Sequence, residues 1–330
     1  MSSEKVKKQL LAFRAFTLVA MVLTGLAYYS PIWWVSLSAP QYPAEMFPDG
    51  IRIHFHLNGV FNGCKKLETR EHLEGEALDC MHEMDAINHY VGMYPIAAGG
   101  PVERAFAPFL FSILGLMMVS FITPGRKKRL IIMGVGSAVI VAWMAAAMLM
   151  PGGIKFMSGV YVDGIVKATS LSAQELAKMS GMDIIQEGYV EALGRYFREA
   201  KIIEARTAMM MGAAKLLFWG IAIAMAAIVV GLAMMPQLYW LLVIGPAIVP
   251  VAFVVEYSAW LWWFGHSLNA MGAFSIKPFM PTVFGQGKVA QFSTFSYPHY
   301  GFGLLSVAAV CLVLAALIRR QQLRAAPEVD

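Results

Sequence analysis

Residues Ala105 to Met150 read "AFAPFLFSILGLMMVSFITPGRKKRLIIMGVGSAVIVAWMAAAMLM", and this stretch decides the fold. Each apolar run in it reaches the roughly 20 residues needed to cross a bilayer as a helix. Only "PGRKKR" separates the two runs, so the stretch reads as a tight helical hairpin in a membrane. Four more runs of this kind lie near Phe16 to Trp34, Met209 to Met235, Leu238 to Phe264 and Phe302 to Ile318. The middle two are joined only by "PQ", which predicts a second hairpin. Composition agrees: 58% of residues are hydrophobic and 14% charged, where soluble domains carry about 25% charged residues.

The predicted fold class is therefore an all-α polytopic membrane protein of about six transmembrane helices, with a small α+β extracytoplasmic insertion between the first two. The segments are an N-terminal signal-anchor helix (1–37), an extracytoplasmic module of strand or hairpin plus helix (38–104), a helical hairpin (105–150), an extracytoplasmic amphipathic helical loop (151–206), a second hairpin (207–264), a third extracytoplasmic loop (265–301), and the last span with its tail (302–330).

Orientation follows from Lys and Arg, which stay cytoplasmic when they flank spans. Lys5, Lys7, Lys8 and Arg14 precede the first run, Arg126 to Arg129 fill the first hairpin turn, and Arg319, Arg320 and Arg324 follow the last run. With six spans, all three clusters fall on one side. The expectation is a multi-pass protein of a bacterial inner membrane with both termini cytoplasmic. "LTGLAYYSPIWW" offers no small-x-small cleavage site, so the first run reads as an uncleaved signal anchor. This bias accounts for the net charge of +5 and gives no reason to invoke a nucleic-acid partner.

The first long loop concentrates polar chemistry. In "MFPDGIRIHFHLNG", Ile51, Ile53, Phe55 and Leu57 alternate with Arg52, His54 and His56, which predicts a half-buried strand between turns. His54 and His56 then share one face, roughly 6 to 7 Å apart at the base, close enough for one metal ion. A solvated polar face is the alternative. In "CMHEMDAINHYVGM" (80–93), His82, Asp85, His89 and Met93 step by three, four and four along one side of a helix. His and Met are soft-to-borderline ligands that suit copper, and Asp85 would ligate or orient a histidine. His82 and His89 are two turns apart, about 10.5 Å, too far to share an ion easily. The expected metal site is thus Asp85, His89 and Met93, completed by His54 or His56, with His82 supplementary. A structural polar network and proton or substrate handling are the competing readings.

Cys64 and Cys80 share this loop, while Cys311 lies in the last span. An oxidising compartment favours a disulfide between the first two, and a pair of thiolate metal ligands is the alternative. His72, inside the charged "KKLETREHLEGEALD", reads as a surface residue. In the second loop "SAQE" and "DIIQ" look like capping boxes, the second opening an amphipathic helix that continues into the fourth span. Lys215 and Glu256 are ionisable residues within apolar runs. An isolated charge there costs about 2.5 to 3.5 kcal/mol or more, so the two are expected to form an intramembrane ion pair or to gate a proton or ion path. His266 in "WLWWFGH" and His299 in "SYPHYG" form a secondary outer site. "GQGK" lacks the remainder of a phosphate-binding loop, and neither a Cys-x-x-Cys-His haem attachment motif nor a Gly-x-Ser-x-Gly elbow occurs.

Three stretches, "APQYPAEMFPDGIRIHFHLNGV", "EMDAINHYVGM" and "PTVFGQGKVAQFSTFSYPHYGFG", resemble a little-characterised family of bacterial polytopic membrane proteins with an NHY(I/V)GM motif. That family is associated with accessory proteins for nitrous oxide reductase and periplasmic copper delivery. The resemblance implies copper as cofactor and other membrane or periplasmic proteins of a copper-enzyme or redox complex as partners. The inserted "CKKLETREHLEGEALDC" departs from the family pattern. The Asp85-x-x-x-His89 spacing is also similar to the metal site of the C subunit of particulate methane monooxygenases, but Val102 stands at the third ligand's distance. Three functions follow as expectations. The first is a membrane-anchored copper-binding accessory protein for maturation of a periplasmic copper enzyme. The others are a metal- or heme-containing subunit of a membrane redox or monooxygenase complex, and a permease-like component working through Lys215 and Glu256. No catalytic residue is assigned.

Overall fold

Apolar length separates two kinds of helix in this chain. In the computed structural model, which describes residues 3–65, 78–96, 100–273, 276–289 and 291–325, the elements in chain order are as follows. They are α1 (Ser3–Tyr28), β1 (Trp33–Ser38), β2 (Ile51–His56), β3 (Gly59–Asn62), α2 (Cys80–Tyr90), α3 (Gly100–Ile122), α4 (Arg126–Leu149), α5 (Gly159–Ala168), α6 (Ala173–Leu176), α7 (Gly181–Gly194), α8 (Ala200–Met234), α9 (Leu241–Ala247), α10 (Val249–His266), β4 (Gly285–Val289), β5 (Phe292–Pro298) and α11 (Tyr300–Ala325). Among the described residues, α1, α3, α4, α8 and α11 are long and apolar enough to cross a membrane. A sixth crossing is available only if Pro236–Ala247 and Val249–His266, bent by 56° to one another, form one span. Pro246 inside α9 and Pro250 in the first turn of α10 explain the bend. Each proline removes a backbone donor and crowds the preceding turn. The expected straight fifth run is therefore broken.

α1 and α11 pack against each other, with Gln9 reaching Gln321 near one end and the backbone N–H of Gly301 donating to the Pro31 carbonyl at the other. At this second end both helices run into strands, and β1 pairs antiparallel with β5 from Trp33↔Pro298 to Ser38↔Ser293. A Cβ on Gly301 would lie 2.5 Å from the Pro31 carbonyl oxygen, so the crossing of the two chain segments requires glycine. The full sheet has the order β3-β2-β1-β5-β4. It is not confined to the 38–104 insertion, since its central strand starts at Trp33 and two strands come from the third loop.

Strand periodicity sorts the side chains of β2 as the alternation predicts. Ile51 and Ile53 are fully buried, together with Val35 and Leu37 of β1, against Tyr257 and Leu261 of α10 and Met84 and Ile87 of α2. In the second loop, Ser172 and Glu175 form the expected capping box. The next box is Ser180 with Asp183, so Asp183 closes the first turn of α7 instead of starting it. α7 also stops at Gly194 and does not run into α8. The break turns Phe197 into the core, where it is 1% exposed. α8 then continues for 35 residues, about 52 Å, well beyond the roughly 30 Å of a bilayer core.

Candidate functional site

The three stretches that carry the family resemblance meet at the sheet end of the bundle, where they supply β2, the start of β3, most of α2 and the β4–β5 hairpin around the central strand β1. On the open face of the sheet, the Arg52 guanidinium lies 3.9 Å over the Trp34 ring, and Trp34 in turn packs on Tyr297 with ring centroids 5.3 Å apart. His54 faces His299 at 5.3 Å, and His56 packs edge-on against Phe61 at 4.7 Å. Burial among these rings lowers His54 to about 4, with His299 and Arg52 adding repulsion. Burial, then His54 and His299, lowers His56 to about 4 as well. His299 is lowered by burial and by Arg52. All three imidazoles are therefore neutral near pH 7. The Nε2 of His54 is buried without a hydrogen-bond partner. The Nδ1 of His299 accepts from the Tyr300 N–H at 2.9 Å, which leaves the ring proton of the neutral form on Nε2.

The other expected ligands sit elsewhere. Asp79 caps α2 by accepting from the His82 N–H at 3.1 Å, and the helix lays Cys80, Met84 and Ile87 on the face of the sheet that carries Ile51 and Ile53. His54 and His56 point to the opposite face. The composite site of His89, Met93 and Asp85 with His54 or His56 is thus not assembled, because the alternation that brings the two histidines together also turns them away from α2. Met93 is 7% exposed within the apolar core. The Asp85 carboxylate accepts from the Ile96 N–H at 2.6 Å and closes the turn after α2. Burial pushes that carboxyl up to about 7, and the Ile96 hydrogen bond opposes the shift. Gly92, at φ 87°, lets its carbonyl accept from both the backbone and the side chain of Asn269, docking the "VGM" turn onto residues after α10.

His89 packs edge-on against Phe197 at 5.2 Å, its Nδ1 lacks a hydrogen-bond partner, and burial lowers its pKa. The Nδ1 of His82 lies 3.1 Å from the Tyr196 hydroxyl, whose pKa burial raises. His82, Asp85, Arg104, Arg195 and Tyr196 line a polar cavity of about 250 Å³ between α2, α3 and α7. This side of α2 matches the structural-network alternative better than a metal site. Cys64 and Cys80 are bonded, with Cα atoms 5.9 Å apart, and tie the end of β3 to the start of α2. Cys311 is buried in α11. His72 lies outside the described residues.

Lys215 and Glu256 do not pair. The ion pairs among the described residues include Lys8–Glu4, Arg52–Asp49 and Lys65–Asp49, and none joins Lys215 to Glu256. Lys215 is exposed on α8, which packs on α4 and α7, while α10 packs on α9 and α11. Glu256 instead lines a cavity with Glu103 and His56. Sequence reasoning missed Glu103, which looks like an ordinary acid in a first helical turn. His266 stacks on Trp262 at 4.5 Å with its Nδ1 2.8 Å from the Trp262 carbonyl, so it shares no surroundings with His299. Among the described residues, no group of three or more His, Cys, Asp or Glu side chains is placed to hold a metal ion. Comparison with known proteins gives no match to a family model, to a curated protein or to a solved structure.

Proposed function

We propose that this chain is a multi-pass protein of a bacterial inner membrane whose sheet end lies outside and holds copper briefly for a periplasmic partner enzyme. The single observation that carries the metal reading is the group of neutral imidazoles on the open sheet face, with the His54 Nε2 buried and unpartnered. A neutral imidazole nitrogen is the form that binds a metal, and imidazole suits copper. His54 and His56 would be the donors. His299 sits beside them with its Nδ1 already engaged. Fewer than three ready donors favours hand-off over storage, because the partner can supply the remaining ligand. When bound, the ion would supply only the cargo of that transfer. The chain's part is to hold the two ring nitrogens uncharged on one face of the sheet.

Membrane placement is supported by apolar stripes on the outside of the bundle. Leu216, Trp219, Ile223 and Val230 are exposed at helical spacing on α8, as are Ile131, Val135 and Val139 on α4. Lipid covers such stripes, and water would leave them as aggregation-prone patches. Orientation is supported by charge. Phe13 of α1 packs on Phe121 of α3, and Arg319 of α11 lies over Phe13, which gathers the basic segments at the end of the bundle opposite the sheet. That end is assigned to the cytoplasm. The permease reading loses its support with the separation of Lys215 from Glu256.

Competition of the purified protein against a Cu(I) chelator tests the proposal. The native chain should bind, His54→Ala should lose at least tenfold in affinity, and His89→Ala should keep it. A native chain that takes up no copper sinks the metal reading. Equal loss in both variants returns the site to α2.

A further inference from the structure

Glu256 poses a problem that the metal reading does not touch. It lies on α10 beside Val251 and Val255, which are 59% and 63% exposed, on the side of the helix that faces lipid in the proposed arrangement. A carboxyl group at such a position is costly unless it lines a polar or ligand-filled space. It does line one, a cavity of about 90 Å³ between β2, β3, α3 and α10. A second carboxyl, Glu103, enters from the first turn of α3, and His56 enters from the end of β2. The Glu103 Oε2 is buried with no hydrogen-bond partner. A buried polar atom left in this state forfeits a hydrogen bond, which a ligand hydroxyl would restore.

The remaining walls are aromatic and apolar, with Phe55, Phe253, Tyr257, Trp260 and Phe264. A second apolar cavity of about 80 Å³ lies next to the first, with Phe55, Ile96, Tyr257 and Phe264 in both linings, and reaches beneath the sheet to α2. Two carboxyl groups present oxygens to the cavity, flat rings stack, and a second, apolar cavity adjoins.

We propose that this cavity binds a membrane-soluble aromatic alcohol of the quinol class. Its hydroxyl groups bond to Glu103 and Glu256, its ring lies among Trp260 and Phe55, and its apolar tail extends toward the second cavity beneath the sheet. Entry is lateral, past the exposed flank of α10. A quinol hydroxyl both donates and accepts, so it satisfies a carboxyl group in either protonation state, whereas the corresponding quinone can only accept. The cavity shares the His56 wall with the copper site, but its hydrogen bonds fall on Glu103 and Glu256 and its readout involves no metal.

Native mass spectrometry of the metal-free full chain, released from detergent micelles with a decyl-tailed benzoquinol or its quinone, tests it. One quinol per chain is expected, with at least tenfold weaker retention of the quinone. The Glu103→Gln/Glu256→Gln double variant should lose at least tenfold in quinol retention, and His89→Ala should lose none. Equal retention of quinol and quinone by the native chain overturns the proposal, as does a folded double variant that retains quinol undiminished. The quinol-over-quinone comparison is made on the native chain, so it decides the matter even if the double variant fails to fold.

Discussion

The open and covered faces of the sheet hold histidines in opposite ways. On the open face, His54 and His56 are crowded by rings and by each other, their pKa values fall to about 4, and the His54 Nε2 finds no partner. On the covered side, beyond α2, His82 meets a tyrosine hydroxyl and Asp85 is tied to the Ile96 backbone, while His89, whose Nδ1 also lacks a partner, packs against Phe197 and Tyr196. The first group keeps ring nitrogens uncommitted. The second spends most of its polar atoms on holding α2, the "VGM" turn and the 195–199 break together. A histidine count treats the two alike, and only the local partners tell them apart.

The contrast can be broken most forcefully at Phe197. Phe197→Ala empties a fully buried site under His89 and should cost about 3 to 5 kcal/mol, read by chemical denaturation in detergent. Copper affinity at the open face should survive in whatever fraction remains folded. Next in size is the disulfide, the covalent link between β3 and α2. Replacing Cys64 and Cys80 by serine should cost roughly 3 kcal/mol in the chain-entropy model, seen as a lower melting temperature that reductant no longer shifts.

Acidity should divide the faces by sign. Asp85 binds its proton more tightly when folded, so its contribution is complete below about 4 and fades as pH rises toward 7. The limiting slope is about 1.4 kcal/mol per pH unit. His54 and His56 bind protons less tightly when folded, so their contribution is complete above the ordinary histidine value of 6.5 and is lost between there and about 4. Between pH 4 and 6.5 the two effects oppose each other. Asp85→Asn keeps an acceptor for the Ile96 N–H and should expose the histidine slope, steepening the loss of stability on acidification. A His54→Ala/His56→Ala double variant should leave the Asp85 slope alone, with stability rising as pH falls. Stability curves at several pH values that keep one shape in all three proteins would remove the distinction. The smallest effect is expected at Tyr196→Phe, which deletes the hydroxyl facing His82 and should cost about 1 kcal/mol, without altering copper binding.

Much of this architecture is legible in sequence where one period dominates. The Ala105–Met150 hairpin, the alternation over 51–57, the "SAQE" cap and the pairing of Cys64 with Cys80 all rest on local spacing. The candidate site is less legible, because each of its elements has two usable faces. Periodicity places His54 with His56 and aligns His82, Asp85 and His89. It does not say that α2 docks through Met84 and Ile87 onto the opposite side of β2. The α9–α10 bend was foreshadowed by Pro246 and Pro250, yet apolar length alone hid it. Glu103 escaped notice because its partner in the cavity is 153 positions away in the chain.

The passage from α1 into β1 and from β5 into α11 leaves almost no slack: residues 29–32 make one connection and His299 the other. The paired strands are thereby an extension of the paired helices, pinned at the joint by the His299 N–H on the Ile32 carbonyl and the Gly301 N–H on the Pro31 carbonyl. Anything that tilts the sheet must tilt both helices with it, so the histidine-bearing face is coupled through paired strands and paired helices to the level of Gln9 and Gln321.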